Sequence, residues 1–301
     1  MKLDRVRFGP AGFPIDASRQ EAFKYLKEIG LDAMEYQAVR SVPKKEETLR
    51  AIGDDARENG ILLTLHAPYA LNLAAEDEKK REGSIERLFR ACWAAHIMGA
   101  EHVTFHPGYY GGLEPAEALE RTVDAVERVI AMMREAGFVV ELGPETTGKP
   151  SQVGSLEEVI DLAQRFDEVW PTVDFAHLHA REGGSIRGRE DYARILDRLE
   201  EGLGTLDGLV IHFSEIEMTK SGVGEKMHHD LGSGYGPEFE PLAREMVERG
   251  VKWVVICETP LLERDALKMK EIYERVSGAR PGGRARGRRG RGRGKGKGRR
   301  R

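Results

Sequence analysis

The sequence predicts a (β/α)8 TIM barrel, and three observations carry that expectation. Apolar, β-branched runs recur eight times within residues 1–278, helix-like segments separate them, and the stretch is close to the ~250 residues usual for such a barrel. The candidate strands are, in order, 5–8 (RVRF), 33–37 (AMEYQ), 61–65 (ILLTL), 102–105 (HVTF), 138–142 (FVVEL), 169–174 (VWPTVD), 208–213 (GLVIHF) and 252–257 (KWVVIC). Among the intervening segments, 17–30, 116–137 and 237–250 space apolar residues three and four apart and stop at glycine, the pattern of amphipathic helices that end in a left-handed cap. A doubly wound open sheet is the alternative. It normally carries a glycine-rich phosphate loop after its first strand, and RFGPAGFP lacks the G-x-G-x-x-G spacing.

Composition narrows the class. Hydrophobic residues make up 40% of 301, enough for a full core, and no apolar run approaches the roughly 20 residues that span a bilayer. The N-terminus MKLDRVRFGP has no signal-peptide core, and two cysteines, Cys92 and Cys257, cannot form a disulfide framework, so a reducing cytoplasm is expected. The net charge of −4 hides a division. Residues 280–301 hold 12 of the 47 Lys and Arg and no acid, which leaves 35 basic against 51 acidic residues before them, a net of −16. A tail with no apolar residue larger than Ala285 buries nothing and is expected to be disordered, giving a barrel domain at 1–278 and an Arg/Gly/Lys-rich tail at 279–301. Such an arm neutralises phosphates and releases counterions, which points to a nucleic-acid backbone. A solubility tail, or an arm for another acidic partner, are the alternatives.

The strand endings indicate what the barrel holds, because residues at the carboxyl ends of barrel strands converge on one face. The second ending offers Glu35 and Gln37, the third His66, the fourth His106, and the fifth Glu141 and Glu145. The sixth offers Asp174 and His177, the seventh His212 and the eighth Glu258. Seven of nine histidines (66, 106, 177, 179, 212, 228 and 229) lie at or just beyond such endings, and only His96 and His102 do not. Imidazoles with carboxylates and no cysteine partner suit Zn²⁺, Mn²⁺ or Fe²⁺. Eight candidate ligands (His66, His106, Glu145, Asp174, His177, His212, His228 and Glu258) exceed the three that one catalytic zinc needs. Two or three ions about 3.5–4 Å apart form an arrangement that hydrolyses phosphodiesters.

These residues resemble the endonuclease IV family of apurinic/apyrimidinic (AP) endonucleases over nearly all of 1–278. The resembling motifs are LHAPYALNL at His66, FHPG at His106, PETTG at Glu145, DFAH at Asp174 and His177, IHFSE at His212, HHDLGSGYG at His228 and CETP at Glu258. The resemblance implies a barrel with a trinuclear zinc site that cuts DNA 5′ to an abasic sugar and leaves a 3′-hydroxyl. It implies that His66, His106 and Glu145 hold one ion, that Glu145, Asp174, His212 and Glu258 hold a second, and that His177 and His228 hold a third. Glu145 and Glu258 are then the catalytic carboxylates, Tyr69 is in a DNA-contacting loop, and the enzyme is expected to work as a monomer. Two positions depart from the family pattern. Its third ion takes an Asp two residues before the ligand His, and that position is Lys226, with Glu225 and Asp230 the nearby carboxylates. Its H-x-N-D is H-x-S-E here, with Ser214 and Glu215.

Two other functions fit part of the pattern. A sugar or sugar-phosphate isomerase or epimerase of the same superfamily binds one Mn²⁺ or Mg²⁺ with a similar Glu, Asp, His, Glu set; His66, His106 and the tail argue against it. A nucleic-acid-binding protein that has lost catalysis is the third reading, kept open by Lys226. Among the remaining residues, Glu141 is expected to point into the barrel or to orient a ligand histidine rather than be a ligand, His179 to stand by or to support a ligand, and His228 to be preferred over His229. Tyr69 and Tyr109 follow the His turns, where they could stack on an extrahelical nucleotide or pack the loop. Trp93, Trp170 and Trp253 are expected in the core, and Cys257 is expected to be buried and inert. Glu35 and Gln37 fall on one face of the second strand, beside the metal or DNA or in a packed structural role.

Overall fold

A computed structural model describes residues 1–278; the basic tail read at 279–301 lies outside the described residues. The chain alternates strands and helices from its first turn. In order, these are β1 (Arg7–Pro10), α1 (Ala22–Ile29), β2 (Ala33–Gln37), α2 (Glu46–Asn59), β3 (Leu62–His66), α3 (Glu78–Met98) and β4 (His102–Phe105). Next come β5 (Gly108–Tyr109), α4 (Pro115–Glu135), β6 (Glu141–Pro144), β7 (Gln152–Val153), α5 (Leu156–Arg165), β8 (Thr172–Asp174), α6 (Phe175–Arg181) and α7 (Arg189–Leu203). The last are β9 (Val210–Phe213), β10 (Glu215–Met218), β11 (Glu225–His229), α8 (Phe239–Arg249), β12 (Val254–Cys257) and α9 (Glu263–Val276).

Eight of these strands form the barrel. Parallel pairing gives the order β1-β12-β9-β8 on one side and β2-β3-β4-β6 on the other. Parallel bridges close both seams: Ala11 with Glu35 between β1 and β2, and Leu142 with Val169 and Glu145 with Thr172 between β6 and β8. The closed ring excludes the open-sheet alternative. The β1–β2 seam depends on Gly9, where an added Cβ would lie 1.8 Å from the Ala33 carbonyl oxygen. The four remaining strands form two antiparallel ribbons, β5 with β7 and β10 with β11, built into the loops at the carboxyl end.

Helices end where the sequence places glycine: Gly30 after α1 and Gly250 after α8 both cap in the left-handed conformation (φ 88° and 64°). The core lies mainly between the barrel wall and the helices. Trp253 is fully buried there, with Trp93 and Trp170 packed against it. No described helix is long and apolar enough to cross a membrane.

The fifth strand corrects the sequence reading. The apolar run 138–142 suggested a strand that offers Glu141 near its carboxyl end, but β6 starts at Glu141 and Glu145 follows its end. Phe138 instead stacks on His96 of α3 (4.8 Å between ring centroids) and lies tilted against Phe89 of the same helix (6.0 Å). Glu141 therefore sits at the opposite, amino end of the barrel. There it accepts from His102 Nδ1 at 2.8 Å and pairs with the amino terminus. Gly143 of β6 makes room for that arrangement, since a Cβ there would meet His102 Nε2 at 2.0 Å.

The barrel interior is polar as well as apolar. His102 Nε2 bonds Thr172 Oγ1 (2.8 Å), which meets Thr104 Oγ1 (3.0 Å), which donates to Glu35 Oε2 (3.0 Å). Thr64 donates to the same oxygen at 3.2 Å. This ladder carries hydrogen bonds from the floor of the barrel to the site at its carboxyl end.

Candidate metal centre

All eight residues expected to ligate come together at the carboxyl end of the barrel. Their nitrogen and oxygen atoms form three groups, each with members within 4.8 Å of one another: His66, His106 and Glu145; Glu145, Asp174, His212 and Glu258; and His177, His228 and Glu258. Glu145 and Glu258 are each shared between two groups. The groups match the three sets implied by the resemblance, with Glu258 added to the third.

Local structure fixes how each imidazole presents itself. The Nδ1–H of His66 donates to the Ala67 carbonyl (2.7 Å), so Nε2 faces Glu145 Oε2 at 3.2 Å. His106 Nε2 meets the same oxygen at 2.8 Å. His177 donates from Nδ1 to the Thr146 carbonyl at 3.0 Å, which leaves Nε2 to face Glu225 Oε2 at 3.0 Å. His212 Nε2 donates to Glu35 Oε2 (3.2 Å), which turns Nδ1 toward Glu145 (3.0 Å) and Glu258 (3.3 Å). Glu35 is thus a carboxylate that orients a candidate ligand imidazole, as is usual behind metal-binding histidines. His228 Nδ1 bonds Ser214 Oγ at 2.7 Å, a contact made by the serine of H-x-S-E.

The DFAH motif has a simple structural cause. Asp174 ends β8 and caps α6, accepting the His177 backbone N–H with Oδ1 at 2.7 Å. The cap consumes one carboxylate oxygen. The other, Oδ2, is buried without a hydrogen-bond partner, and Asp174 is a member of the second ligand group.

The electrostatics call for cations. Glu35, Glu145 and Asp174 have no exposed surface, and among the described residues no Lys or Arg pairs with them or with Glu258. Buried charges of one sign are costly unless compensated. Burial would raise the Glu145 carboxyl, but the surrounding His106 and His212 hold it well below the usual range. Burial pushes Glu258 up to about 7; His212 opposes the rise, and the Glu145 and Asp174 charges add to it. Burial works against charging His177 and His212, yet the carboxylates around them raise both well above the usual imidazole value. The orphaned Asp174 oxygen, the shared carboxylates and the oriented ring nitrogens fit divalent ions with mixed N/O preference.

Other candidates fall elsewhere. His229 stacks on Tyr235 at 4.1 Å and pairs with Glu217, away from His228. His179 accepts the Ile186 N–H on Nδ1 at 3.2 Å and joins no ligand group. Cys257 is buried, and burial pushes its thiol up to about 12. Tyr69 is half-exposed at the rim, 4.9 Å from the His66 ring, with its hydroxyl donating to Gln37 Oε1 at 3.0 Å. Tyr109 is also exposed rather than packed into the loop. Lys226 points outward to Glu217 at 2.5 Å. Sequence reasoning left the Glu35–His212 contact unassigned; the signal for it was Glu35 and Gln37 alternating onto one face of a strand that borders the site.

With the fold and site described, comparison with known proteins is informative. The profile of the xylose isomerase-like TIM barrel family matches residues 23–275. The chain belongs to this family. An uncharacterised protein from Methanocaldococcus jannaschii is 32% identical over 275 residues, covering 89% of this chain and 97% of its own. A probable endonuclease 4 from Mycoplasma pneumoniae is 27% identical over 66% of this chain and 68% of its own, and one from Aquifex aeolicus 24% over 71% and 78%. Among solved structures, endonuclease IV from Thermus thermophilus superposes with a TM-score of 0.66 at 23% identity over 90% of this chain and 98% of its own. A D-tagatose 3-epimerase-like protein superposes at 0.65 with 20% identity over 87% and 95%. At these identities the two structures share the fold. The resemblance to endonuclease IV read from the motifs holds in the sequence relatives, while the epimerase shares the barrel.

Proposed function

We propose that the protein is a metal-dependent phosphodiesterase, an AP endonuclease that cuts duplex DNA 5′ to abasic sites, with zinc as its metal. The observation that carries this reading is the pair His66 and His106, which adds a third ligand group to the carboxylate-rich set around Glu145 and Glu258. His66, His106 and Glu145 would hold one ion, Glu145, Asp174, His212 and Glu258 a second, and His177 and His228 a third. When bound, such ions activate water and neutralise charge on the phosphate and the leaving oxygen. The chain's own contribution is positioning. Glu35 holds the His212 ring, the Ala67 and Thr146 carbonyls hold His66 and His177, and Asp174 anchors α6 under the site. Tyr69, exposed beside His66, is placed to meet an extrahelical nucleotide.

A single-ion sugar isomerase or epimerase is the second reading, favoured by the Glu145, Asp174, His212 and Glu258 group alone. The two readings separate in one experiment. A duplex oligonucleotide with one abasic-site analogue, and an undamaged control, are incubated with protein whose metal content is measured on the same preparation. Cleavage 5′ to the lesion, lost in His106→Ala and Glu145→Ala, is the expected result. No cleavage with a single ion bound would replace the nuclease by the isomerase.

A further inference from the structure

The β10–β11 ribbon contains an irregularity that changes which residue faces the metal centre. Its register pairs Glu215 with His229, Ile216 with His228 and Glu217 with Met227, and then skips a residue to pair Met218 with Glu225. Lys226 is the extra residue of a β-bulge, a device that re-aims a side chain on a strand. On β10, Ile216 and Met218 lie on one face because side chains alternate. Their partners His228 and Glu225 therefore share that face, although they are three positions apart. Without the bulge Lys226 would take this position; with it, Lys226 turns outward to Glu217.

The Glu225 carboxylate arrives at a specific place. Its Oε2 lies 3.0 Å from His177 Nε2, the ring nitrogen that the Nδ1–Thr146 bond leaves to face it. Oε2 is buried with that imidazole as its ion-pair partner, while Oε1 is paired with Lys149 at 3.3 Å. Two donors of one tetrahedral zinc, each about 2.0–2.2 Å from the ion, stand roughly 3.3 Å apart, close to the observed separation. The space is made by Gly148: a Cβ there would lie 2.1 Å from Oε2. The backbone of the same glycine receives the Glu225 N–H at 3.2 Å.

We propose that Glu225, delivered by the bulge at Lys226 into the notch at Gly148, is a carboxylate ligand of the third ion, joining His177, His228 and Glu258. The inference rests on the metal-centre reading above but makes a separate claim. Full-length protein is equilibrated across a series of buffered free-zinc concentrations, and bound zinc per chain is measured by elemental analysis. Wild type should bind three zinc ions. In Glu225→Gln the weakest-bound ion should lose roughly tenfold or more in affinity, and the other two should keep theirs. Gly148→Ala, whose backbone angles any residue adopts, should reproduce the loss by displacing the carboxylate. Lys226→Ala, which removes only the outward side chain, should bind like wild type. Wild-type affinity for all three ions in both Glu225→Gln and Gly148→Ala would overturn the assignment, as would a wild type that binds two ions. The latter leaves the nuclease reading standing, whereas a wild type that binds one ion removes both.

Discussion

Replacing Glu215 with glutamine should destabilise the protein more than any exposed carboxylate does, because this side chain moulds the loop that follows His228. Glu215 is almost fully buried at the start of β10. Its Oε2 accepts from Ser233 Oγ (2.8 Å) and from the backbone N–H groups of Gly234 (2.8 Å), Tyr235 (3.1 Å) and Gly236 (3.3 Å), while Oε1 accepts from Gly232 N–H (2.6 Å). Glutamine keeps one acceptor oxygen. Placed at the Oε2 position, it retains four weaker, uncharged bonds and sets its amide hydrogens against the Gly232 N–H. Hydrogen bonds to a charged group contribute about 1.5–3 kcal/mol each, and an unsatisfied buried donor costs about 1–3 kcal/mol. The carboxylate's own desolvation offsets part of the sum, so a net loss of about 2–4 kcal/mol is expected. The assay is urea denaturation of chelator-treated protein at pH 7, with Glu217→Gln as the control. Glu217 pairs only with the exposed Lys226 and, in a part-buried contact at 3.4 Å, with His229, so its loss should stay at about 1 kcal/mol. The pH dependence gives a second check. Burial would raise the Glu215 carboxyl, but the Gly232 N–H and the other donors outweigh it and hold the value below the usual range. A depressed carboxyl contributes stability that is complete above its unfolded value, about 4.3, and is lost as pH falls through the folded value. The gap between wild type and Glu215→Gln should therefore be constant near neutrality and shrink below about pH 4.3. A glutamine variant within about 0.5 kcal/mol of wild type at pH 7, or a gap that widens on acidification, would refute the reasoning.

Two further predictions concern the barrel and the tail. Gly9→Ala forces a Cβ against the Ala33 carbonyl across the β1–β2 seam and should cost on the order of 3 kcal/mol or more; denaturation within about 1 kcal/mol of wild type would show that the seam can relax. Deleting 280–301 removes 12 positive charges from a chain whose remainder carries −16. Affinity for duplex DNA should fall and its salt slope flatten, with turnover at saturating substrate little changed, and an unchanged salt slope would remove that role from the tail.

The sequence by itself determined the architecture and most of the residues of the candidate metal centre. Strand periodicity and length were enough for the barrel, because a parallel strand buried on both faces is a continuous apolar run. A His or carboxylate closing such a run stands out against it. The DFAH spacing was legible because one helix start places a capping Asp and the following His on the same turn. Other features depended on contacts between residues far apart in the chain. An apolar run does not tell which of its residues hydrogen-bond in a sheet, so β6 began three residues later than expected and Glu141 moved to the barrel floor. Glu35 met His212 only through closure of the ring, 177 residues away in sequence. The bulge at Lys226 is a matter of register between two strands, which side-chain alternation along one strand cannot reveal. Local sequence therefore determined which groups end each strand. Tertiary pairing decided which of them face one another, because register and ring closure are properties of two segments at once.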